Sequence, residues 1–277
     1  MAKLVGGFCL PHDPLITATP EAVEPGVAKR VMDAFANVRT RLEELSVDTV
    51  IVIGDDHYAM FHPNCQPRIL IGIGDLEGPL EPEGWLRIPR RPVQNNTALA
   101  EHMMEFGFEH GFDWAVAKTL VLDHSTMVPI HLAVPPGVRA IPVYIASGMT
   151  PLISGRRCRE LGMMIGQAVA SWRMDERVAI LGTGGISHWV GMAEYGKVNE
   201  EFDRRILQLV QERDLDSLAA LTDEQVIQQA GNGALEIRNW IVAMSALHAC
   251  TPRVIAYEPV PGWITGLGFA ELEPAHA

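Results

Sequence analysis

A chain of 277 residues, 48% of them hydrophobic, is long enough to bury one sizeable core. Its net charge of −12 argues against nucleic acid or an anionic membrane surface as partner, because both demand a basic footprint. No apolar run approaches the roughly 18 residues of a membrane span.

The opening stretch MAKLVGGFCLPHDP is too short and too polar for a secretory signal, so a cytoplasmic protein is expected. Cys9, Cys65, Cys158 and Cys250 are far apart and form no C-x-x-C pair, which reads as free thiols in a reducing compartment. A small molecule is the expected partner.

In chain order, runs rich in Val, Ile and Leu predict strands over residues 4–9, 49–53, 69–73, 119–122, 140–145, 178–181 and 253–257. Most are apolar throughout, the pattern of strands buried on both faces of a parallel or mixed sheet. Three-to-four spacing of apolar residues predicts helices over 25–45, 97–111, 155–172, 197–213 and 234–249. The fold class that follows is α/β, a three-layer α/β/α sandwich, with 1–277 as a single domain because no repeat, low-complexity tract or linker divides it. Residues 74–92, dense in Gly and Pro, read either as a lid or as an ordered surface loop.

Four histidines follow apolar runs: His12 after KLVGGFCLP, His57 after TVIVIGDD, His124 after TLVLD and His188 after VAILGTGGIS. Ligands of open α/β sheets bind beyond the carboxyl ends of the strands. One such histidine is ordinarily structural; four point to one site. His62, His102, His110, His131, His248 and His276 read as structural or solvated.

His12 and His57 follow the first two predicted strands, where neutral imidazoles can converge on one metal. Glu236 opens the helix after Gly231-Asn232-Gly233 and is a candidate third ligand, the competing reading being a solvated first-turn glutamate. Two histidines and a carboxylate leave coordination positions open, as in non-haem Fe(II) oxygenases. The string Gly182-Thr183-Gly184-Gly185-Ile186-Ser187-His188 lacks both the G-x-G-x-x-G pattern and a Walker lysine, so it is not a nucleotide loop.

These residues carry a resemblance. Pro11-His12, Asp56-His57, Asp123-His124 with Val128-Pro129, the Gly182–His188 string, and Gly233-Ala234-Leu235-Glu236 with Trp240 occur in the order found in LigB-type (class III) extradiol ring-cleaving dioxygenases, over residues 5–270. Within that family the likeness is greatest to the large subunits of protocatechuate 4,5-dioxygenases; Glu200-Phe202-Asp203 and Gly155-Arg157-Cys158 also fit. The resemblance implies an Fe(II) centre held by His12, His57 and Glu236, with His188 as the acid–base residue and His124 in the pocket near the substrate hydroxyls and dioxygen. The implied partners are a catechol-type substrate and O2. A homo-oligomer is expected, with a neighbouring copy, a small accessory subunit or residues 74–92 covering the site.

Asp56 and Asp123 read either as carboxylates orienting an imidazole or as turn caps. Asp55, Ser125 and the loop Pro261–Gly266 depart from the protocatechuate enzymes, so the substrate stays open. Arg87, Arg90 and Arg91 would suit an acidic catechol, Trp263 and Ile264 an apolar one. The alternative function is a metal-dependent hydrolase or a non-catalytic binding protein of the same fold.

Overall fold

The computed structural model describes residues 1–275, so His276 lies outside the described residues. Its strands are β1 (Lys3–Leu10), β2 (Thr49–Gly54), β3 (Ile69–Gly78), β4 (Arg91–Val93), β5 (Ala115–Val121), β6 (Arg139–Ile145), β7 (Arg177–Thr183), β8 (Cys250–Val260) and β9 (Thr265–Pro274). They form one mixed sheet in the order β4-β3-β6-β2-β7-β1-β9-β8, with β5 outside β3. The helices are α1 (Leu15–Ala18), α2 (Pro25–Glu44), α3 (Thr97–Glu109), α4 (His124–Ala133), α5 (Gly155–Ser171), α6 (Glu200–Gln211), α7 (Leu215–Ala220), α8 (Asp223–Ala230) and α9 (Ile237–Ala246).

The expected three layers are present. In β2 every residue is buried, and its apolar run is shared between two cores. Val50 and Val52 pack with α2 and α4 on one face, while Ile51 and Ile53 pack with α3, α5, α6 and α9 on the other. That is why the run does not alternate in polarity: strand residues alternate in direction, and here both directions are dry. Helix starts are chemically marked. Asn96, Ser154, Asn199 and Thr222 each accept a backbone N–H three residues on, and Thr222 with Gln225 completes a capping box. Among the described residues no helix is long and apolar enough to cross a membrane.

Several elements differ from expectation. Strand β9 escapes the apolar-run reading because TGLGFAELEP interleaves glycines and glutamates, although eight of its ten residues are buried. Helix α4 carries Pro129 and begins His-Ser-Thr, poor helix formers held by burial. Residues 74–92 are not one loop: β3 runs to Gly78 and β4 begins at Arg91, leaving a connection over residues 79–90.

Strands β1, β2, β6 and β7 are mutually parallel, so β1, β7 and β2 deliver His12, the Gly184–His188 turn and His57 at one sheet edge. His124 arrives differently. Its strand β5 is parallel to β3, and β3 is antiparallel to β6, so the four histidines do not occupy equivalent strand ends. His124 is instead the first residue of α4.

Candidate active site

Two glycine turns make room for the cluster. Gly184 has φ +145°, open to glycine, and a Cβ there would stand 2.6 Å from Glu236 Cβ. A Cβ on Gly233 would stand 2.1 Å from His188 Nε2. The 3-10 turn Gly233–Glu236 then sets Glu236 beneath the β7 turn, where its Oε2 accepts from Gly185 N at 2.8 Å. The glutamate is buried, not the solvated first-turn residue of the competing reading.

In all four imidazoles Nδ1 is the anchored nitrogen. His12 Nδ1 lies 2.9 Å from Thr183 Oγ1, whose own proton goes to the carbonyls of Ile53 or Ser125, so His12 is the donor. Asp123 Oδ2 accepts from His57 Nδ1 at 3.4 Å, Glu81 Oε1 from His124 Nδ1 at 2.7 Å, and Ile186 O from His188 Nδ1 at 3.2 Å. With every Nδ1 anchored outward, the ring edge carrying Nε2 is left for the site. An imidazole whose second nitrogen donates to an oxygen is a pre-oriented metal ligand or base. Glu236 lies among them: Oε2 is 3.3 Å from His12 Nε2, and Oε1 is 3.3 Å from His57 Nε2 and 3.4 Å from His188 Nε2.

Charge in this cluster is tightly balanced. Burial presses the His57 imidazolium down, yet Asp55, Asp123 and Glu236 outweigh it and hold its pKa well above the ordinary value. His188 is likewise raised, Glu236 and then Asp13 overcoming burial. Glu236 would be raised by burial, but His12 and His188 hold it well below the usual carboxylate range. Asp55, 3.7 Å from His57 Nε2 and 3.9 Å from His12 Nε2, is pushed up first by burial.

The donor set fits a cation. His12 Nε2 is buried without a hydrogen-bond partner, a lone pair otherwise costly to leave unmet. Ligand atoms of His12, Asp55, His57 and Glu236 lie within 4.8 Å of one another, as do those of His12, His57 and His124. The sequence-predicted residues His12, His57, His124, His188 and Glu236 thus come together in one place.

They open onto a cavity of about 290 Å³, close to the lower end of small-molecule sites. Its wall includes Leu15, Trp85, Val190, Tyr195 and Ile264. Ile264 has φ +54°, a left-handed conformation costing a β-branched residue about 1–3 kcal/mol, which turns it into the cavity wall. Trp263 does not join it: that ring is fully buried and Nε1 donates to Thr19 O at 3.0 Å. Arg87, Arg90 and Arg91 do not line it either; Arg87 is bidentate to Glu21 and Arg90 pairs with Glu77.

A family model described as the catalytic LigB subunit of aromatic ring-opening dioxygenase matches residues 6–268. The chain belongs to the LigB family. Curated 2,3-dihydroxyphenylpropionate/2,3-dihydroxicinnamic acid 1,2-dioxygenases are similar to it: that of Burkholderia vietnamiensis is 28% identical over 94% of both chains, and that of Rhodococcus rhodochrous is 27% identical over 94% of this chain and 95% of its own. A crystal structure of an uncharacterized protein from Escherichia coli K12 shares the fold, with a TM-score of 0.58 at 11% identity over 96% of this chain and 99% of its own. As a member of the LigB family, the chain is an enzyme of the extradiol ring-opening class.

The candidate site is also braced by residues that motif reading passes over or leaves open. Asp123 orients His57 while Ser125 Oγ and Tyr144 OH donate to its other oxygen, whereas Asp56 caps a turn, accepting from the backbone of Ala59, Met60 and Phe61. Glu81, on the 79–90 connection, accepts from both His124 N (2.7 Å) and His124 Nδ1, capping α4 and fixing the ring. Glu81→Ala is expected to cost about 1 kcal/mol, as loss of a helix cap does, and Glu81→Gln, which keeps an accepting oxygen, much less. Urea unfolding of both variants checks this, and equal losses would discount the cap.

Asp203, fully buried on α6, accepts from Ser187 N (2.9 Å), Ser187 Oγ (2.9 Å) and Tyr257 OH (2.7 Å), bracing the turn that ends in His188. Burial raises its pKa to about 6 against the donors. The folded chain therefore holds this proton more tightly than the unfolded chain. The resulting stability is complete below about pH 4 and is lost as the pH rises through about 6, about 3 kcal/mol in all. Asp203→Asn should lose less stability than wild type between pH 4.5 and 7 in urea unfolding; equal losses would show that Asp203 does not titrate across that interval.

Proposed function

We propose that the chain is a non-haem Fe(II)-dependent dioxygenase that opens a catechol ring next to the diol and inserts both atoms of O2. His12, His57 and Glu236 are the metal ligands; His188 and His124 serve the reacting oxygens. The observation that carries this reading is the outward anchoring of all four Nδ1 atoms around the Glu236 carboxylate. Glu236 lies near three imidazoles and brings the negative charge that a dication needs, which favours Glu236 over His124 as the third ligand. Two histidines and a carboxylate with open positions are the arrangement of non-haem Fe(II) oxygenases.

Iron bound there supplies the redox chemistry that lets dioxygen react with the diol. The protein's own part is proton handling and exclusion of water. In its neutral form His188 keeps its proton on Nδ1 against Ile186 O, so Nε2 can accept a proton from a diol hydroxyl and later return it, and Glu236 and Asp13 strengthen it as a base. His124, with Nδ1 given to Glu81, offers Nε2 to the same oxygens. Leu15, Trp85 and Ile264 screen the ring from solvent.

The test is anaerobic reconstitution with Fe(II), addition of a catechol, and mass spectrometry of the product made under 18O2. Two labelled atoms in a ring-opened product are expected. Zinc retention with no ring opening would favour the hydrolase.

The same reading takes the enzyme as a cytoplasmic homo-oligomer. Its four thiols are unpaired and Met192 and Tyr195 are exposed apolar surface. A mass of one chain by light scattering would count against the assembly.

A further inference from the structure

We propose that the catechol this site takes carries an uncharged, apolar substituent, and that the cavity discriminates against catechols bearing a carboxylate. This rests on the ring-opening reading and deepens it. Among the described residues lining the cavity there is no lysine or arginine. The imidazoles have their Nδ1 protons committed to Thr183, Asp123, Glu81 and Ile186, and their remaining nitrogens serve the metal and the diol.

The wall is, if anything, acidic. Asp13 is buried in it, held by Leu15 N at 2.8 Å and by Thr265 Oγ1, so that hydroxyl and that amide are already spent. Gly185 N is spent on Glu236. The arginines of the 79–90 connection are neutralised elsewhere, Arg87 on Glu21 and Arg90 on Glu77. Lys197, near the mouth in sequence, lies over the Trp189 ring at 4.9 Å. A carboxylate entering here would lose water and find no cation, only the neutral donors Trp85 Nε1–H and Tyr195 O–H, a costly exchange for a charge.

The remaining wall is apolar: Pro14, Leu15, Trp85, Val190, Tyr195 and Ile264. An alkyl or aryl substituent would cover Trp85 and Val190, which are otherwise 45% and 47% exposed. The inference separates this chain from its curated relatives, whose named substrates are a phenylpropionate and a cinnamic acid.

Matched pairs test it: 3-propylcatechol against 3-(2,3-dihydroxyphenyl)propionate, and 4-methylcatechol against 3,4-dihydroxybenzoate. Affinities are measured calorimetrically without oxygen on the Fe(II)-loaded protein, and turnover separately in air. The uncharged member of each pair is expected to bind at least tenfold tighter. Val190→Arg, at an exposed position that accommodates the longer side chain, should shrink that ratio by tightening the carboxylate member. A carboxylate member that binds as well as or better than its partner in wild type overturns the proposal. So does an unchanged ratio in Val190→Arg, since the lack of a cation would then not be the cause. Binding that discriminates as expected while none of the four rings opens would remove the dioxygenase reading and leave the recognition intact.

Discussion

Glu236→Gln is expected to lower affinity for Fe(II) by more than the roughly 10–100-fold seen when a mere supporting partner of a metal ligand is lost, and to bring ring opening to background. The glutamine fills the same volume and still offers an oxygen to Gly185 N, so the 3-10 turn at Gly233–Glu236 keeps its shape. What disappears is the negative charge facing His12, His57 and His188. A dication among neutral imidazoles then lacks its balancing carboxylate, unless Asp55, whose pKa burial raises, ionises to replace it.

Metal content after anaerobic reconstitution, measured with circular dichroism on the same sample, decides the matter. A folded, metal-poor variant is the expected outcome. Full occupancy would show that Glu236 is dispensable, the metal being held by His12 and His57 together with Asp55 or His124, the other donor atoms that lie close enough. His124→Ala is the complementary variant and should keep its metal.

The fold was readable in the sequence wherever burial is uniform. Strand β2 and its neighbours announce themselves because TVIVIG and RVAILGT are apolar on both faces, as strands between two helical layers must be. Strand β9 and helix α4 do not, since TGLGFAELEP and HSTMVPIHLA owe their structure to what they pack against and not to local propensity.

The candidate cluster was legible for a related reason. Metal and acid–base chemistry needs particular residue types, and His12, His57, His188 and Glu236 stand beside glycine or strand-end signals. Supporting residues carry no such mark. Glu81 lies in a loop 43 residues before His124, and Asp203 supports the His188 turn from a helix that starts twelve residues after it. Asp203 stands in the Glu200-Phe202-Asp203 string of the resemblance, yet only the three-dimensional hydrogen bonds show what it and Glu81 support. The choice between arginines and apolar residues for the substrate side was equally open, because pairing of Arg87 with Glu21 joins segments 66 residues apart.

His188→Ala is expected to keep the iron and to bind a catechol, yet to lose about 10²–10⁴-fold in turnover, the range for removal of a general acid–base group. The residue sits at the end of the β7 turn with Nδ1 held by Ile186 O and Nε2 3.4 Å from Glu236 Oε1, on the wall of the cavity that would take the diol. Its backbone is fixed independently of the ring: His188 N donates to Ala230 O at 2.8 Å, and Gly233 N donates to His188 O at 3.2 Å. Truncation at Cβ therefore leaves the turn and the Glu236 position standing, and opens space above Gly233. His188→Gln preserves a polar group of similar reach but cannot take up and return a proton near neutral pH, so it should resemble the alanine variant in turnover while binding catechol more nearly like wild type. Iron content, catechol affinity without oxygen and turnover in air, taken on one preparation, separate the possibilities. Lost iron would make His188 a ligand, and unchanged turnover per iron would reduce it to a packing residue at the end of a glycine turn.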